Sequence, residues 1–123
     1  MASPGALART PGVRAMKEPF GPSPIPVVRV SNTNRFRHEL EHDPAAHCKL
    51  LLEEMERTIV ETGPETVAMI IAEPVQNAGG ALVPPEGYWA GLREIADRYG
   101  ITLMADEVIT GFGRFGEFFA SAR

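Results

Sequence analysis

Cysteine is nearly absent. Cys48 is the only one in 123 residues, which excludes an internal disulfide and fits a reducing compartment. Long apolar runs are missing too. None approaches the roughly 20 residues that a bilayer-spanning helix needs, so the chain reads as soluble and cytoplasmic, with the mitochondrial matrix as the alternative for a eukaryotic source. Positive charge is in short supply: 12 Lys and Arg against 16 Asp and Glu, a net charge of −4. No basic stripe interleaved with aromatics appears, which argues against a nucleic-acid partner. Lysine is confined to Lys17 and Lys49, and neither follows a glycine-rich loop. A phosphate-gripping lysine of the nucleotide-hydrolase type is therefore excluded, although an apolar run ending in Asp-Glu is otherwise similar to the acidic element of those enzymes.

What is present fits one globular core. Hydrophobic residues make up 44% and charged residues 23%, and a chain of this length supports no more than a single domain. Residues 1–26 are dense in Pro and Gly, from Pro4 and Gly5 to Pro24 and Pro26, which forbids a long helix and predicts an irregular loop. Arg9 and Arg14, with no acid before Glu18, faintly resemble a transit peptide, but Pro4, Pro11 and Gly12 favour the loop. Compact domains rarely start with so long a structureless segment, so the chain is expected to begin in the middle of a larger protein. The remaining residues, 27–123, are expected to run strand, helix, strand, helix, strand.

The first strand is expected at Val27-Val28-Arg29-Val30. Asp43-Pro44 then supplies a helix cap with proline behind it. Cys48, Leu51, Leu52, Met55 and Ile59 follow at helical spacing, with Glu53, Glu54, Glu56 and Arg57 opposite, until Gly63-Pro64 stops the helix. Val67 to Ala72 is apolar without alternation, as in a parallel strand covered on both faces. Pro84-Pro85-Glu86 opens a second helix whose inner face is Tyr88, Leu92, Ile95, Ala96 and Tyr99, with Gly100 as its stop. Ile101 to Ala105 is the last strand. Alternating elements of this kind predict a parallel sheet with right-handed crossovers.

Both apolar strands end in acids, Glu73 and Asp106, and ligands of open α/β sheets bind beyond such strand ends. Each acid could equally cap a turn or bond a loop. His38, His42 and His47 lie far upstream at a spacing that suits a solvated approach to a helix rather than a ligand set, so no metal is expected. Cys48 has an apolar helical setting and reads as core. Gly111 and Gly113 are expected to permit a tight turn after Asp106.

Three motifs in order carry a resemblance: Ile71-Ala-Glu-Pro-Val-Gln-Asn-Ala-Gly-Gly, Pro84-Pro-Glu-Gly-Tyr, and Ala105-Asp-Glu-Val-Ile-Thr-Gly-Phe-Gly-Arg114. Together they resemble class III aminotransferases, the ω-aminotransferase group of fold type I pyridoxal-phosphate enzymes. The match runs from about Val67 to Ala120, and more loosely from Pro19 to Arg37. It implies an α/β fold, part of the parallel-sheet large domain of those enzymes with its three-layer αβα arrangement, and pyridoxal 5'-phosphate as cofactor. It also implies that Asp106 pairs with the pyridine nitrogen and that Val108 packs on the ring face. Glu73 and Gln76 would shape the site from the neighbouring strand, while Glu107 and Arg114 would serve structural hydrogen bonds or ion pairs. Phe115 departs from the small hydroxylated residue of many relatives. Ala78 replaces the acid of ornithine- and γ-aminobutyrate-type members and resembles the amine or ω-amino acid branch.

The Schiff-base lysine of the family lies beyond the next strand, and this chain has no lysine after Lys49. No catalytic residue is therefore expected within it. The chain reads as one partial domain of a transaminase that moves an amino group between an amine or ω-amino acid and a keto acid, inactive alone. The alternatives are a non-catalytic remnant or interaction fragment, and part of an aminomutase on the same cofactor. A small-molecule amino donor and a keto acid acceptor are the expected substrates, and a homodimer the expected full-length assembly, with neither nucleic acid nor membrane as partner.

Overall fold

The carboxylate of Asp43 accepts the Ala46 N–H at 2.9 Å, and Pro44 follows it at the first helical position. The cap satisfies one of the donors a helix start leaves open, and from it helix α1 runs Pro44–Thr62. Its buried stripe includes Cys48, Leu51, Met55 and Ile59, the helical spacing expected from the sequence. Gly63, with φ 90°, ends it. The computed structural model describes residues 26–77 and 80–122; the N-terminal loop expected over most of residues 1–26, and Ala78, lie outside the described residues.

Strand β1, Met69–Ala72, is shorter than its apolar run because Val67 N–H turns back to the Pro64 carbonyl at 3.2 Å. Helix α2 is Tyr88–Tyr99. It starts later than Pro84-Pro85 suggests, since Gly87 stands in the left-handed region just before it. Strand β2, Thr102–Ala105, pairs with β1 in parallel, with Met69 opposite Thr102 and Ala72 opposite Ala105.

The core gathers the stripe of α1, the inner face of α2 (Tyr88, Leu92, Ile95 and Ala96), Ile70 and Ile101. Its layers meet closely at one point. A Cβ on Gly91 of α2 would stand 2.3 Å from Leu52 Cδ1 of α1, so glycine lets the two helices approach. Across the rim of this contact, Glu56 accepts hydrogen bonds from Arg98 and from the Tyr99 hydroxyl.

Both helices lie on one side of the strand pair, where Ile70 is buried. Met69, Ile71 and Met104 are exposed on the other side. Among the described residues, then, only one face of the sheet is covered; the second cover that a continuously apolar strand anticipates is not among them.

Two expectations need correction. Among the described residues Val27 to Val30 joins no ladder; Val30 packs at the edge of the core, and Ser31 N–H and Oγ fasten the segment to Glu54 Oε1 of α1 at 3.1 and 3.2 Å. A β-branched run becomes a strand only where a neighbour offers backbone partners. His47 is not solvated either. It is 1% exposed and its ring lies 4.9 Å from that of His38, with Nδ1 buried and without a hydrogen-bond partner among the described residues.

Candidate functional site

Because β1 and β2 are parallel with Ala72 opposite Ala105, Glu73 and Asp106 leave the sheet at the same end. The structure thus brings both sequence-identified acids to one edge, where they behave differently. Glu73 Oε2 accepts the Asn77 N–H at 3.1 Å and closes its own turn. Beyond that turn Gln76 forms an isolated antiparallel bridge with Leu82. The Gln76 amide also donates to the buried Thr33 hydroxyl at 3.3 Å, which ties the loop to the N-terminal segment.

Asp106 is held from both sides. Its N–H donates to the Ala72 carbonyl at 2.8 Å, extending the ladder by one bond and fixing it against β1. Its Oδ1 accepts the Val108 N–H at 3.1 Å, the short turn that aspartate side chains commonly make. Oδ2 has no partner among the described residues. Val108 enters the same turn and is 86% exposed. The turn therefore presents a carboxylate oxygen and a bare apolar side chain two residues apart.

Glu107, beside it, points into the protein. Oε2 accepts from the Thr110 hydroxyl at 2.5 Å and the Ala120 N–H at 3.0 Å, and Oε1 from the Ser121 N–H at 2.8 Å. Desolvation pushes its carboxyl upward, but the hydrogen bonds from Thr110, Ser121 and Ala120 outweigh it and bring the pKa down to about 2. Thr110 is wholly buried. The loop between is folded on itself: Gly111 N–H donates to Glu107 O at 2.9 Å and Phe112 N–H to Phe118 O at 2.6 Å. The rings of Phe112, Phe118 and Phe119 pack edge-on above it.

The glycines of this loop divide their work in a way their spacing does not reveal. Gly113, with φ 82°, makes the turn. Gly111 serves close approach instead: a Cβ there would lie 3.0 Å from Glu107 O. Arg114 is exposed. Nothing in the residue pattern announces the Glu107 contacts to Ala120 and Ser121, because both donors are backbone groups. Cys48 is buried in the core, which pushes its thiol pKa up, consistent with a packing residue. An open apolar cleft walled by Pro74, Val75, Pro84, Trp89 and Phe115 lies beside the strand ends. Among the described residues no helix is long and apolar enough to cross a membrane.

The family model described as aminotransferase class-III matches residues 3–123. The putrescine–pyruvate aminotransferase of Pseudomonas aeruginosa is 43% identical over 111 residues, covering 89% of this chain and 24% of that protein. Among solved structures, a thermostable (S)-enantioselective ω-transaminase from Thermomicrobium roseum superposes with a TM-score of 0.84 at 44% identity, over 94% of this chain and 25% of that one. An amine transaminase from an uncultivated Pseudomonas species, in its PLP-bound form, gives 0.70 at 45% identity, over 76% of this chain and 21% of that one. The chain spans about a quarter of the length of the curated relatives it matches.

Proposed function

The chain belongs to the class III aminotransferases, and on that footing we propose that the full-length protein carrying it moves an amino group from an amine or ω-amino acid to a keto acid. Pyridoxal 5'-phosphate is the cofactor of the family. The substrate class is supported by the putrescine–pyruvate and ω-transaminase relatives at 43% and 44% identity. Ala78, where the resemblance places an acid in ornithine-type members, is read in the same direction.

The residues present fit the cofactor. A flat ring with a basic nitrogen on its edge needs an anion at that edge and apolar surface against its face. Among the described residues, the Asp106 turn offers an unpartnered Oδ2 and the exposed side chain of Val108. When bound, pyridoxal phosphate supplies an electron sink for the negative charge that develops on the substrate carbon. Asp106 would hold a proton on the pyridine nitrogen, because an adjacent anion favours the charged form of a base. The backbone bond to Ala72 fixes the main chain of Asp106 and the Val108 N–H orients its carboxylate, so little reorganisation is needed as charge develops. Val108 would cover one ring face and keep water from it. The full-length enzyme is proposed to work as a homodimer, and these residues to form part of its cofactor-binding domain.

The observation that carries this reading is Asp106 pinned at the strand end with one oxygen uncommitted among the described residues. Asp106→Asn keeps the size and the Val108 bond but removes the charge. In the full-length enzyme, kcat for amine–pyruvate transfer should fall by about 10²- to 10³-fold, the scale for losing a preorganised electrostatic partner, with the circular dichroism spectrum unchanged. A folded variant within a few-fold of wild type would refute the role of Asp106.

A further inference from the structure

We propose, building on the assignment of Asp106 above, that Glu107 is the positioning residue of the cofactor site, a clasp that fixes the Asp106–Val108 turn by closing the loop behind it. The carboxylate of Glu107 reaches Thr110 near the start of this loop and Ala120 and Ser121 at its end, 13 and 14 residues away. Its own carbonyl accepts from Gly111. One side chain therefore gathers the beginning and the end of the segment that follows Asp106.

The consequence for Asp106 is geometric. On its N-terminal side it is secured by β2 and by the bond to Ala72 O. On its C-terminal side, among the described residues, it has its own Oδ1 contact to Val108 and the bonds that hold Glu107. With the clasp closed, large rotations of the Glu107 backbone work against three side-chain hydrogen bonds. Hydrogen bonds to an ionised group are stronger than neutral ones and directional. With the clasp open, the loop recovers its conformational freedom, and the entropy of ordering it would be charged against cofactor binding. The carboxyl stays ionised down to a pH of about 2, so the clasp is in its accepting form wherever the enzyme works. The wholly buried Thr110 hydroxyl, which donates to Glu107, is the kind of polar group a folded protein keeps inside only when it is satisfied.

The test uses the full-length enzyme in three variants, Glu107→Gln, Thr110→Val and Asp106→Asn, each with and without pyridoxal phosphate. In the cofactor-free protein, hydrogen–deuterium exchange of peptides covering residues 108–121 should accelerate about tenfold in Glu107→Gln, and less in Thr110→Val, which removes one of the three donors. The dissociation constant for pyridoxal phosphate, from fluorescence titration, should rise about tenfold in Glu107→Gln. The pH midpoint of the bound cofactor's visible absorbance should move in the same direction as in Asp106→Asn, by a smaller amount. A residue that merely stabilised the loop would speed exchange but leave that midpoint in place, and this result would overturn the proposal. Unchanged exchange in both loop variants would also overturn it. If Asp106→Asn itself left the midpoint and the affinity unchanged, the assignment of Asp106 would fall, while the exchange data would still judge the clasp independently.

Discussion

Gly91→Ala sets two effects of known size against each other. In the interior of a helix, alanine is favoured over glycine by about 1 kcal/mol. Against this, the new methyl would stand 2.3 Å from Leu52 Cδ1, 2.8 Å from Cδ2 and 3.1 Å from Cγ, where carbon atoms prefer about 3.5–4.0 Å. Because the branch carbon is too close as well as both methyls, a turn about the last bond of Leu52 does not clear the clash. The side chain must leave its rotamer, or α1 and α2 must separate. Overpacking of this kind costs about 1–3 kcal/mol, and the involvement of all three atoms puts it in the upper half of that range. The net expectation is a loss of about 1–2 kcal/mol. The same substitution made on top of Leu52→Ala no longer meets those three atoms and should stabilise by about 1 kcal/mol, the propensity gain alone. The sign of the effect therefore reverses between the two backgrounds. Thermal unfolding of the full-length protein in the four combinations, followed by circular dichroism, completes the double-mutant cycle. A higher Tm for Gly91→Ala in the wild-type background, or the same decrease in both backgrounds, would show that the helices are not in contact at this pair.

Two further outcomes are expected. Asp43→Ala removes the acceptor for the Ala46 N–H and should cost about 1 kcal/mol in chemical denaturation, whereas Asp43→Asn should restore most of it; equal losses in both would count against the cap. Burial first, then the charges of His38 and Arg35, hold His47 below the ordinary 6.5. A histidine whose folded pKa is depressed contributes no penalty above the unfolded value, and stability declines as pH falls below it. Wild-type Tm should therefore fall more steeply between about pH 7 and pH 5 than that of His47→Leu; parallel curves would mean that His47 is solvated.

How much of this was legible in the sequence depended on whether the determinant was local. Helix α1 could be drawn in advance because its cap, proline, apolar stripe and terminating glycine all lie within the segment they define. The edge where Glu73 and Asp106 meet followed from the parallel order of the elements. The strand expected at Val27 to Val30 did not form because strand identity is conferred by a partner, and that information is not in the run itself. Leu52 was placed on the inner face of α1, but the residue it presses on was invisible: a glycine in the middle of a helical pattern signals close approach without naming the neighbour. Glu107 was legible as structural, yet its reach to Ala120 and Ser121 was not, since backbone N–H donors carry no residue signature. The burial of His47 was hidden by its polarity, which favours the surface on average and says nothing of one packed against His38.

Gly100 and Ile101 are the only residues between α2 and β2. Gly100, left-handed at φ 65°, donates back to Asp97, and Ile101 N–H donates to Ala96 O at 2.8 Å, so both are committed to ending the helix. Ile101 is also buried. The join has no slack, and the strand that carries Asp106 starts from a fixed point on the end of the helix. A single inserted residue would exchange the two faces of β2, sending Thr102 and Met104 toward the helices and Leu103 away from them. Insertions and deletions should therefore be excluded here while substitutions are not. Across relatives, the interval from α2 to Asp106 should vary in composition but not in length.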